Sequence, residues 1–223
     1  WYGNQEHVVN WQYDGQEIKA EIVHRYAYLK GNWEWVAKNA DYYFRAGVTY
    51  SYLTSAAFSA RLSPGGFVFD VAGSSLFPDD VPLILSMMNS AFASYTLKLI
   101  NPTVNFQVGD LARLPVPGAS SQRLQVLTRQ AISLSKARDQ RNEIALDFLV
   151  PPRWDTGLSD LTTHRVALSD IEGQIDEEVY RLYSIGDEDR AAIEAELAGG
   201  LPAESDDEDQ APLVEDDETE QSE

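Results

Sequence analysis

Apolar residues recur at helical spacing along most of this chain and switch to alternation in one stretch. Residues 14 to 30 put Ile18, Ile22, Tyr26 and Leu29 on one side of a short amphipathic helix that Gly31 can stop. From Tyr42 to Pro78, aromatic and β-branched residues alternate with small polar ones around the turn Pro64-Gly65-Gly66, which predicts two to four strands in a sheet. After Asp79-Asp80, the residues Leu83, Met87, Ala91, Tyr95 and Leu99 fall four apart. With acidic residues at the cap and proline in the first turn, they predict one buried helix ending at Asn101-Pro102.

A second long helix follows behind Ser120-Ser121, with apolar residues at helical intervals from Leu124 to Phe148. Between the two, "NFQVGDLARLPV" reads as a short extended segment that Pro115 and Pro117 bar from a central strand, with Asp110 placed to cap a turn. The region from Pro151 to His164 reads as a loop. Ser169-Asp170-Ile171-Glu172 then forms a capping box for a helix carrying Ile175, Val179 and Leu182, and Asp187 caps a last helix closed by Gly199-Gly200. The organisation this predicts is a mixed α/β domain with a small sheet over 1–118, a spacer helix over 119–150, a small helical region over 151–200 and an acidic tail over 201–223. That tail has almost nothing to bury and is expected to stay disordered.

The 223 residues are 43% hydrophobic, with five Trp and eleven Tyr, enough to fill a core. The longest apolar run, residues 81 to 100, is interrupted by Ser86, Asn89, Ser90, Ser94 and Lys98, so no membrane span is expected and the chain reads as a soluble cytoplasmic protein. It opens on Trp1 with no secretory pattern around it, which suggests an excised fragment or a processed product. Without cysteine there are no disulfides or thiolate metal sites, and His7, His24 and His164 show no ligand spacing, so no metal is expected.

The net charge of -19 hides its own distribution. Residues 1 to 150 carry 13 basic and 13 acidic residues, residues 151 to 200 carry 4 and 12, and residues 201 to 223 carry none and 11. A neutral body can bind DNA through a local basic face.

Asn101-Pro102 matches the first two residues of the Asn-Pro-Pro-aromatic loop with which adenine-N6 methyltransferases grip a flipped base. Thr103 and Val104 stand where the second proline and the stacking ring belong. No glycine-rich S-adenosylmethionine loop follows a strand either. No catalytic residue is therefore expected in this chain.

The series "WYGNQEHVVNW", "ADYYFRAGVTYSYLTSAAFSARLSPGGFVFDVAGSSLFP" and "LSMMNSAFASYTLKLINPTVNFQVGDLARLPV" resembles the region after the catalytic domain in PglX-like adenine-specific DNA methyltransferases of BREX phage-defence systems. It is also similar to related Type IIG restriction-modification enzymes and to the target-recognition domain of Type I specificity subunits. The resemblance covers roughly residues 1 to 150, and "IDEEVYRLYSIGDEDRAAIE" is similar to a helix pair near the end of many such enzymes. It implies the sequence-recognition portion of an adenine-N6 methyltransferase, noncatalytic by itself, whose parent uses S-adenosylmethionine. The implied partners are double-stranded DNA, the catalytic domain of the same enzyme and other defence-system proteins. Gly65 stands where the family pattern often has lysine, which removes a phosphate contact there.

Candidate DNA-binding residues are Lys38, Asn39, Tyr43, Arg45, Arg61 and Ser63, which flank the strands and mix cationic with aromatic groups. Asn105 and Gln107 have the amides that pair with adenine, beside the more common role of satisfying backbone groups. Arg123, Arg129, Lys136, Arg138 and Arg141 on the long helix fit either a phosphate grip or, better, a plain charged face. Two other readings compete. An acidic DNA mimic needs its charge on the folded body, which is neutral; a protein-docking piece would use the C-terminal helices and the tail.

Overall fold

The computed structural model describes residues 1–53, 58–70, 73–118 and 121–199. Three short antiparallel strands, β1 (Gly47–Tyr50), β2 (Ala60–Ser63) and β3 (Ser75–Leu76), form one sheet in the order β2-β1-β3, with Val48 opposite both Leu62 and Leu76. Gly47 permits this pairing, because a Cβ there would lie 2.3 Å from the Leu76 carbonyl oxygen. The buried positions of the sheet, Val48, Tyr50 and Ala60, pack with Phe58 against Leu85, Met88, Leu97, Phe106 and Leu111.

The single helix expected over 81–100 is two helices, α2 (Val81–Met88) and α3 (Ala91–Ile100), bent by 68° at Asn89-Ser90. Tertiary partners explain the break. The Asn89 side chain turns to β2, where Oδ1 accepts from the Ala60 amide (2.7 Å) and Nδ2 donates to the Ala60 carbonyl (2.9 Å), as a neighbouring strand would. Ser90 Oγ accepts from the Ala93 amide, and Asp176 Oδ1 accepts from the Ala91 amide at 2.7 Å. The freed backbone groups are thus satisfied. The bend also turns Leu99 outward, leaving Ala93 and Leu97 as the buried residues of α3.

The first helix, α1 (Gln12–Arg25), begins with Tyr13, Asp14 and Gly15 in left-handed conformation and stops short of the expected residue 30. The segment after Asn101 contains a one-turn helix, α4 (Val108–Leu111). The long helix, α5 (Gln122–Asp139), is capped by Ser121 Oγ on the Leu124 amide but ends ten residues before the expected 149. Beyond it the Leu149 amide folds back onto the Gln140 carbonyl, and Leu146, Leu149 and Val150 are exposed. Ser120 lies outside the described residues.

The next helix, α6 (Gly157–Leu182), starts well before the Ser169 box, which therefore sits inside it; no glycine or proline interrupts residues 158–169. Its second half packs Ile175 and Val179 against Leu83, Leu124 and Leu127 in a second core. Helix α7 (Asp187–Gly199) closes the described chain, and Gly200 and the acidic tail fall outside it. Among the described residues no single helix is long and apolar enough to cross a membrane.

Candidate nucleic-acid interface

Between α1 and β1 the chain makes three 3-10 turns, Ala27–Leu29, Trp33–Trp35 and Ala40–Tyr42. Left-handed Lys30 ends the first turn, while left-handed Asn39 and Phe44 flank the third. The turns hold aromatic rings at the surface: Tyr28 is 75% exposed, Trp35 65% and Tyr42 45%. Phe44 is pinned by two backbone bonds to the turn after β2, from its amide to the Phe67 carbonyl and from the Gly66 amide to its own carbonyl.

Cations are laid over these rings. The Arg45 guanidinium lies 5.0 Å from the Tyr42 ring centroid and 5.2 Å from that of Phe77, and the two rings are 5.3 Å apart. Lys19 Nζ sits 4.2 Å over Trp33 and bonds Asp14 at 2.7 Å. Edge contacts continue from Trp11 to Tyr43 (5.1 Å) and from Tyr43 to Phe69 (5.1 Å), and Phe69 meets Phe77 at 5.7 Å. A connected band of rings and cations thus runs from α1 to the end of the sheet.

Ion pairing distinguishes most of the long-helix set from the loop set, although Arg129 on α5 is exposed and, among the described residues, has no ion pair. On α5 and just past it, Arg123, Lys136, Arg138 and Arg141 reach Glu177, Asp147, Asp139 and Asp160 within 4.0 Å. By contrast, Lys30, Lys38 and Arg45 are exposed and have no ion pair among the described residues. Lys38 and Asn39, both exposed, share with Arg45 the loop that carries the rings.

The other candidates lie elsewhere or are enclosed. Tyr43 is 8% exposed; burial, then the Asp70 charge, pushes its hydroxyl above the usual range, and its ring packs within the band. Arg61 on β2 is half-buried: Nη2 donates to Ser51 Oγ at 3.1 Å, Nε has no partner among the described residues, and burial lowers its pKa. Ser63 ends β2 opposite Gly47.

Asn105 and Gln107 belong to a compact loop organised by Asn101. Its Nδ2 donates to the Asn105 carbonyl (2.8 Å) and to Asp110 Oδ2 (2.7 Å), while its Oδ1 accepts from the Thr103 amide and hydroxyl. Both hydrogens and both lone pairs of the amide are in use. Asn101 therefore has nothing left with which to grip a base amine, which agrees with the absent Pro-aromatic pair. Asp110, whose pKa is lowered by the Asn101 bond and then by the Gln107 amide at 3.0 Å, caps the turn of α4.

Lys19, Trp11, Trp33 and Trp35 were not among the sequence candidates, although tryptophans spaced two apart beside a glycine-asparagine turn are a signal for such a surface. Among the described residues no cluster of His, Asp or Glu could hold a metal.

No family model matches the chain. It is 35% identical over 153 residues to the adenine-specific methyltransferase BrxX of Escherichia coli O9:H4 (strain HS), a match covering 66% of this chain and 12% of that protein. To the adenine-specific methyltransferase PglX of Lacticaseibacillus casei (strain Zhang) it is 34% identical over 139 residues, covering 61% of this chain and 11% of the other. The chain is a PglX-like relative. It spans about an eighth of the length of these PglX-like proteins, 12% and 11%.

Proposed function

We propose that this chain is the DNA-recognition portion of an adenine-specific DNA methyltransferase of a phage-defence system. The methyl transfer from S-adenosylmethionine to adenine N6 then belongs to another portion of the parent protein, since Asn101 is engaged within its own loop. The observation that carries the reading is the loop from Tyr28 to Arg45, on which Lys38, Asn39 and Arg45 stand exposed among aromatic residues, the two cations without an ion pair among the described residues. Lysine and arginine in that state can neutralise phosphates, and an exposed asparagine can reach a base edge. Relatives named as adenine-specific methyltransferases support double-stranded DNA as the partner.

Duplex binding by the chain, measured at several salt concentrations, tests it. Replacing Lys38 or Arg45 by alanine is expected to weaken binding across all sequences and to lower the salt slope by about 0.9 per cation removed. Duplex affinity that neither substitution alters, or that is absent at low salt, would refute the assignment. A second reading, docking of another portion of the parent, is favoured by Trp154, which is fully exposed with Leu149, Val150 and Leu158 close by in sequence.

A further inference from the structure

We propose that the surface between Tyr28 and Arg45 takes up unpaired bases of an opened DNA strand, stacking them on Tyr28, Trp35 and Tyr42; this deepens the DNA-recognition reading and rests on it. Three independent observations point to unpaired bases. The first is the orientation of polarity. Large rings stand exposed along one loop, with Lys30, Lys38 and Arg45 between and after them free of ion pairs among the described residues, so each ring face has a phosphate-binding group near it in sequence. That interleaving is the composition of a single-strand surface, where bases stack on rings while cations follow the backbone.

The second observation is charge. Residues 28 to 45 hold three cations against Glu34 and Asp41, a surplus that supports a modest, salt-sensitive grip on phosphates and leaves room for a contribution from the bases. The additional affinity for a strand with bases comes from the ring faces. In a duplex those faces meet nothing, because each base is covered above and below by its neighbours, whereas a strand opened beside an extruded base exposes them. The 3-10 turns of three residues and the four-residue strands β1 and β2 also provide no long helix or ribbon to enter a major groove.

The third is backbone strain. Among the described residues seven non-glycine residues adopt left-handed φ, and six of them, Asn4, Tyr13, Asp14, Lys30, Asn39 and Phe44, lie in the first 44 residues. Such conformations persist where the surrounding structure holds them, and they concentrate at ligand-binding segments. Three of them lie in the proposed surface, Lys30 ending the turn that carries Tyr28, and Asn39 and Phe44 flanking the turn that carries Tyr42.

The test uses the 223-residue chain and fluorescence anisotropy with three labelled probes of about twelve nucleotides, within the range of single-strand site sizes. The probes are a mixed-sequence single strand, an abasic strand of the same length, and the matched duplex. The base-bearing strand is expected to bind at least about tenfold more tightly than the abasic one, with a log-log salt slope of about 2 for three cations. Trp35→Ala is expected to weaken the base-bearing strand by about five- to a hundredfold and to leave the abasic strand unchanged, whereas Tyr42→Ala, which also removes the ring under Arg45, is expected to weaken the base-bearing strand more than the abasic one. Trp35 makes no ring contact among the described residues, so its variant separates stacking from loss of structure, checked by circular dichroism. Equal affinity for base-bearing and abasic strands, or wild-type affinity in both variants, would overturn the inference. If duplex binding then still depends on Lys38 and Arg45, the recognition reading survives alone; if no probe binds, both fall.

Discussion

Asp176 tests how the two cores are joined. Its Oδ1 accepts the Ala91 amide across the gap between α6 and α3, in a site whose burial raises the carboxyl from 3.8 to about 6. The Ala91 bond opposes that rise, Glu172 and Glu194 add to it, and Arg190 opposes it. The folded protein therefore keeps a proton between about pH 4 and 6 that the unfolded chain releases. The stabilising contribution is fully present below about pH 4 and is lost as pH rises through 6.

A shift of two units corresponds to an upper limit of about 3 kcal/mol, and partial solvent access reduces it to about 1–2 kcal/mol. Asp176→Asn keeps the acceptor for the Ala91 amide and removes the charge. It is expected to raise stability by about 1–2 kcal/mol at pH 7.5 and to change little at pH 4. Urea unfolding of variant and wild type, followed by tryptophan fluorescence from pH 4 to 7.5, reads the difference directly and cancels the other titrating groups. A variant less stable than wild type at pH 7.5, or a difference that does not vary with pH, would refute the reasoning.

Other expectations follow from neighbouring contacts. Glu178 is held down to about 2, chiefly by Arg181 and then by the Ser121 hydroxyl, against burial, so it stabilises above its ordinary value of 4.5 and ceases to as pH falls through 2. Because Arg181 is largely exposed, Glu178→Gln should cost only about 1–2 kcal/mol at neutral pH, shown by a shift in urea midpoint that shrinks in acid. Asn89→Ala leaves the Ala60 amide and carbonyl without partners and should cost about 2–3 kcal/mol, read as a lower Tm and faster amide exchange at Ala60.

The sheet was legible because alternation between Tyr42 and Pro78 is a local property of the chain. The break at Asn89-Ser90 was not, since apolar spacing of four runs unbroken through both halves while the cause lies in Ala60 and Asp176, far away in sequence. The capping box at Ser169 misled for a related reason: a Ser-x-x-Glu pattern caps a helix only where the preceding residues leave it, and residues 157–168 continue it. At the candidate interface, Lys38, Asn39 and Arg45 stand out in the sequence because they flank the predicted strands among aromatic residues, and all three are exposed. Tyr43 shows the limit, because adjacent aromatics in a turn do not reveal which ring faces inward; Tyr42 went out and Tyr43 in.

Asn89 has a wider consequence. By presenting an amide to β2 as a strand would, it fastens the sheet to the hinge from which α3 departs, and Asp176 holds the other side of the same hinge. The sheet, the bent helix pair and α6 are therefore expected to melt together in one cooperative transition. A cleavage between residues 150 and 157 would not release a self-sufficient recognition piece. It would uncover Leu83, Leu124 and Leu127 and unclip the start of α3, so limited proteolysis is expected to yield either the whole folded body or no folded product at all.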